Sequence, residues 1–149
     1  MMTNLSTNFY PASFRTAAAV MVLAIAAAGG CQTTTQTQGA TGITTRFNGN
    51  SLRADLPLNV GVAKAIAASK KVLEDRYFVI VDSQVNADSG FVTGRPPRTT
   101  DFPRVKITAE NAVTQDGQPV TRLNIGFQPM GDEFSSRDIM GKVLVELGL

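Results

Sequence analysis

Hydrophobic and polar positions divide the chain into three regimes. Residues 16–28 are dominated by Ala, Val, Leu and Ile; residues 32–42 are Thr, Gln and Gly with a single Ala. From Ile43 onward, apolar residues recur with the periods of regular structure. Ile43–Phe47 reads as a short first strand, and Asn48-Gly49-Asn50-Ser51 as a turn. Asn59 is the expected N-cap of a helix over about 60–75. Val62, Ile66, Ser69 and Leu73 lie on one stripe, widened by Ala65 and Val72, while Lys64, Lys70, Lys71 and Glu74 lie largely off it.

Residues 77–81 are aromatic and β-branched, which predicts a buried strand. Asn86-Ala87-Asp88-Ser89-Gly90 predicts a turn, and 91–94 a short strand. Arg95-Pro96-Pro97-Arg98 breaks the ladder, because proline has no N–H to donate. Residues 104–113 alternate: Arg104, Lys106, Thr108 and Glu110 on one face, Val105, Ile107 and Ala109 on the other. A hairpin turn with Asp116-Gly117 follows. Thr121, Leu123, Ile125 and Phe127 then point one way, Arg122 and Asn124 the other. Gly131-Asp132 opens a final helix with the stripe Ile139, Met140, Val143, Leu144 and Leu147, capped by Asp132 or by Ser135 with Asp138. The predicted fold is α+β, in the order (β)αββββα: a four-stranded antiparallel meander with both helices on one face. The other face would be polar and carry Arg104, Lys106, Arg122 and Asn124.

The apolar run at 16–28 follows Arg15, the only charge before Cys31, and is shorter than a membrane span of ~20 residues. It matches the core of a signal peptide, and Gly29-Gly30-Cys31 supplies small residues ahead of a cysteine. The predicted organisation is a signal peptide at 1–30, a lipidated Cys31 with a flexible tether at 31–42, and one domain at 43–149.

Composition narrows the function classes. The formal charge is +2, with no His, no Trp and a single Cys. A disulfide within the chain is impossible, a conventional zinc site is disfavoured, and no strong pull on nucleic acid is expected. Without His, and with Cys31 acylated, the common nucleophile–base pairs cannot be assembled. Ser69-Lys70-Lys71 reads as the edge of a solvated helix face, and Asp132 with Glu133 as helix-capping acids. Asp82, Asp88, Asp116 and Asp132 lack calcium-loop spacing. The expectation is therefore no enzyme, no cofactor and no metal. The stretch that invites binding is Arg95, Arg98, Arg104 and Lys106, with Arg122 on the next strand and Glu110 and Asp101 as partial partners. It suits phosphorylated lipid, an acidic glycan or an acidic envelope protein, and Pro96-Pro97 lowers the cost of ordering the loop. A small ligand carried between helices and sheet is the alternative.

Ala28-Gly29-Gly30-Cys31 resembles the lipobox of bacterial lipoproteins, with Ala28 where Leu is commonest. That resemblance implies cleavage before Cys31 and anchoring by two or three acyl chains, at ~0.8 kcal/mol per buried CH₂. Gln32 in place of the retention Asp implies the outer membrane, facing the periplasm, if the host has two membranes. Gly131-Asp132-Glu133-Phe134-Ser135-Ser136-Arg137-Asp138-Ile139 fits a Gly-Asp-x-x-x-Ser-x-x-Ile element. The Ala-rich helix at 63–73, Asp88-Ser89-Gly90 and Val105-x-Ile107 accompany it. Over about 60–147 the chain resembles a family of short bacterial lipoproteins of unknown function, which implies architecture and anchoring but no activity. Its element order is also similar to the helix-grip domains of the lipoprotein subunit of the outer-membrane β-barrel assembly machine, a likeness of fold alone.

Overall fold

The alternation at 104–113 sets the centre of the fold. In the computed structural model, which describes residues 33–99 and 102–149, Val105, Ile107 and Ala109 are buried against Leu123 and Ile125 of the next strand. The chain forms strands β1 (Thr34–Gln38), β2 (Ile43–Phe47) and β3 (Ser51–Pro57), then helix α1 (Val62–Asp75). Strands β4 (Val79–Val85), β5 (Ser89–Arg95), β6 (Arg104–Val113) and β7 (Pro119–Gln128) follow, then helix α2 (Glu133–Leu147). Residues 1–30, expected to be a signal peptide, and Cys31 lie outside the described residues.

The sheet corrects the expected four-stranded meander. It has seven strands, all antiparallel, in the order β1-β2-β3-β7-β6-β5-β4. Two meanders, β1–β3 and β4–β7, are joined where β3 pairs with β7, Leu52 opposite Ile125 and Leu56 opposite Thr121. The expected meander lacked β3, whose Leu52, Ala54 and Leu56 alternate into the core. The turn that launches β3 is built by Asn48, whose side-chain oxygen accepts from the N–H groups of Asn50 and Ser51.

The expected tether at 31–42 is also corrected, because Thr34–Gln38 is strand β1, in register with β2 from Thr34↔Phe47 to Gln38↔Ile43. Threonine is β-branched and favours extended backbone, so an edge strand wet on both sides needs no apolar residue. At the opposite edge, β4 was expected to be buried. Its Val79, Val81 and Val85 are half-exposed, since only β5 pairs with it. The expected cap Asn59 falls in a 3-10 turn, Leu58–Val60, and α1 starts after Gly61.

Both helices pack on one face of the sheet, as the stripes required: α1 against β4, β5 and β6, α2 against β1, β3 and β7. Ile66, Leu73, Ile139, Met140 and Leu144 meet Leu52, Val92, Ile107, Leu123 and Ile125 in a continuous core. A side chain at Gly90 would stand 3.0 Å from Ile66 Cγ1, so a glycine in β5 permits α1 to approach the sheet closely.

Candidate functional site

The face of the sheet turned away from the helices carries the predicted basic residues. Arg104 and Lys106 project there by alternation from buried Val105 and Ile107. Arg95 ends β5 one position beyond the Gly94↔Val105 pair, which sets it beside Arg104 on the same face. Lys106 lies opposite Thr93, and its Nζ stands 5.1 Å from the centroid of the Phe91 ring. The Arg104 guanidinium sits 5.6 Å from the Phe102 ring. Both are cation–π distances. An Arg95 Nη1 group donates to the Thr99 carbonyl, and the Thr99 hydroxyl donates to the Pro96 carbonyl at 2.8 Å, so the Pro96-Pro97 loop folds back on its own strand. Arg98 is exposed on that loop with φ +67°. The four predicted residues therefore share one end of the sheet.

Arg122 does not join them. It pairs with Glu110 in the ladder, four residues further along β6 than Lys106, about 13 Å at ~3.3 Å per residue. Its Nε donates to Asp55 at 2.9 Å, and Nη1 lies 3.9 Å from Glu110. Burial pushes the Asp55 pKa up, but hydrogen bonds from Arg53 and Arg122 outweigh it and hold the carboxyl below its ordinary value. Glu110 thus answers Arg122 and not the basic end. Asp101, the other expected partner, lies outside the described residues. Two shallow depressions of about 410 and 360 Å³ flank Lys106 and Thr108 on this open face.

The remaining candidates have structural partners. Ser69 is fully buried and donates to the Ala65 carbonyl at 2.7 Å, in keeping with its place on the Val62–Ile66–Leu73 stripe and correcting the reading that grouped it with Lys70 and Lys71 on the solvated edge. Lys70 and Lys71 reach Glu74 and Glu146 instead. Asp132 caps α2, accepting from Ser135 N–H at 2.9 Å and from the Ser135 hydroxyl at 2.6 Å. Those bonds, the hydroxyl's first, hold its pKa below the ordinary value. Glu133 is lowered by the Thr34 hydroxyl and then by Arg137. Between the helices and the sheet, side chains of both layers pack together as the core described above. The groove of about 420 Å³ lies on the outside, between α1 and α2, lined by Arg76, Asp138, Lys142 and Glu146. Arg76 and Lys142 pair there with Asp138.

Two features were not singled out from sequence. Arg137, inside the Gly-Asp element, binds three parts of the fold at once. It donates to Glu133 at 2.7 Å, to Thr45 Oγ1 at 2.9 Å, and to the Thr34 hydroxyl and carbonyl at 3.1 and 3.3 Å. The i,i+4 spacing to Glu133 was the readable signal. The second is a set of exposed large apolar side chains, Tyr77, Phe102, Met130 and Phe134. No sequence period joins these four; the order and direction of the strands do.

One antiparallel sheet under one helical layer, with an uncovered polar face basic at one end, defines an α+β domain of the two-layer class. The profile of the family described as "Protein of unknown function (DUF3568)" matches residues 13–144, and the chain belongs to that family. No curated protein matches it.

Proposed function

We propose that the protein is a lipid-anchored component of the bacterial cell envelope with a binding or scaffolding role and no enzymatic one. In a two-membrane host it faces the periplasm from the outer membrane. The observation that carries the reading is the position of the lone Cys31, between a short apolar run and a domain whose first strand opens at Thr34. A binding role is supported by the gathering of Arg95, Arg98, Arg104 and Lys106 at one end of the sheet, a concentration of positive charge suited to an anionic group of the envelope.

The test is mass spectrometry of the N-terminal peptide from the protein's own membranes, with fractionation of Cys31→Ser. Acylated Cys31 in the wild type, and loss of the variant from lipid-anchored material, are expected. A mature protein that keeps residues 16–28 and a free thiol would overturn the reading.

A further inference from the structure

We infer that the basic end of the sheet is the surface that lies on the bilayer, with its arginines against anionic lipid phosphates and its exposed aromatic side chains in the headgroup layer. This deepens the anchoring proposal and rests on it.

The antiparallel order fixes which residues share an end. β1 starts there, so β2 ends there, β3 starts, β7 ends, β6 starts, β5 ends and β4 starts. Thr34, Arg104 and Arg95 are the end positions of their strands, and the loop bearing Arg98 joins the last two. Tyr77 lies two residues before β4, Phe102 two before β6, Met130 two after β7, and Phe134 stands in the first turn of α2. These four side chains are 82%, 57%, 80% and 85% exposed. The residues at this end thus bring together arginines, apolar side chains and the point where the chain enters the fold.

Covalent reach supplies the occupant. Only Gln32 and Thr33 separate Cys31 from Thr34, so a lipidated Cys31 holds the Thr34 Cα within ~11 Å of its own Cα. Thr34 is itself tied to α2 through Glu133 and Arg137, beside Phe134. The far end of the sheet, where β6 ends at Val113, lies nine residues up the strand from Arg104, roughly 30 Å away at ~3.3 Å per residue. A domain leashed so briefly keeps this end at the surface, within the ~8–10 Å over which lipid charge is felt at physiological salt. Arginine forks match phosphate oxygens, and aromatic rings settle at the membrane interface.

The chain contains no Trp, so a single introduced indole reports its own surroundings without background. Phe102→Trp, Phe134→Trp and, at the far end, Val113→Trp would be made in the full chain. Each protein would be extracted from membranes, checked for its acyl chains by mass spectrometry, and reconstituted into vesicles of phosphatidylethanolamine with phosphatidylglycerol, containing brominated lipid. Quenching severalfold stronger at 102 and 134 than at 113, weakened in all-phosphatidylcholine vesicles or by Arg98→Gln with Arg104→Gln, is the expected result. Acylated protein with equal quenching at all three positions overturns this proposal and leaves the anchor standing; so does preferential quenching that ignores both lipid charge and the arginines. An N-terminus without acyl chains overturns the anchor, and the proposal with it.

Discussion

Replacing Arg137 with Met would keep the aliphatic stem and remove the guanidinium's bonds to Thr34 of β1 and Thr45 of β2, leaving only the Thr34–Glu133 bond and the Gln38 bond to the residue-137 carbonyl between α2 and β1. The Arg137 side chain is only 13% exposed, so most of its guanidinium bonds are shielded from water. The bond to the hydroxyl of buried Thr45 is the costly one to lose; charged hydrogen bonds contribute ~1.5–3 kcal/mol. The bonds to Thr34 face solvent, where water replaces them at little cost, and an i,i+4 pair such as that with Glu133 is a small addition. The net expectation is a loss of about 2–3 kcal/mol. Its location is the sharper forecast. β1 is mostly exposed and contributes no residue to the core, so the ladder to β2 and the polar bonds to α2, the Arg137 guanidinium foremost, are its attachments. Native-state hydrogen exchange of Arg137→Met should show protection collapsing in Thr34–Gln38 before the amides of β6 and β7 respond. Equal losses in β1 and β7 would refute the idea that β1 is a separately held strand, and unchanged exchange throughout would show that these bonds contribute nothing.

Ile139→Ala removes a fully buried side chain from the α2 stripe and should cost ~2–4 kcal/mol in chemical denaturation. Gly131→Ala would drive a methyl to 2.3 Å from the Gly49 carbonyl oxygen and 2.7 Å from Asn50 Cα, so a loss of ~1–3 kcal/mol, relieved by shortening the 48–50 turn, is expected. Asp132→Ala should cost ~0.5–2 kcal/mol, and Asn or Ser should restore most of it. Because the Asp132 pKa is depressed by its Ser135 bonds, its stabilisation is complete above the ordinary carboxylate value of about 3.9 and fades as pH falls through the lower folded value. Denaturation midpoints of wild type and Asp132→Ala should therefore keep a constant gap at neutral pH and converge only in strong acid.

Where one face of an element is buried and the other wet, the sequence was readable. β6, the Asp116-Gly117 hairpin, the α2 stripe and the Asp132 cap follow from period and turn chemistry alone. Strands whose place depends on neighbours were not. β1 has no apolar face to betray it; β3 is the exception, since Leu52, Ala54 and Leu56 alternate inward with Arg53 and Asp55, a period-2 signal present in its own residues. β4 carries valines that suit a buried strand, yet it sits at an edge, a fact about strand order that its own residues do not encode. The candidate site divides in the same way. Arg104 and Lys106 were placed by alternation and Arg95 by the loop that follows it, but Arg122 was drawn off by Asp55, whose partner strand was missing from the expected sheet. Tyr77, Met130 and Phe134 come together only once the direction of every strand is known.

The seam between β3 and β7 has a consequence for how the chain is made. Ser51 pairs with Gly126 and Pro57 with Val120, so the first meander completes its sheet only after nearly all the rest of the polypeptide exists. During synthesis β1–β3 emerge first, and Leu52 and Leu56 have neither their partner strand nor the covering α2. Pairing so distant in sequence is slow to form, and an unpaired apolar edge is a template for aggregation in the meantime. A chain interrupted anywhere before Val120 is consequently left with an open, sticky strand in place of a smaller working domain, and the intact chain has a waiting period during biogenesis in which β3 needs protection.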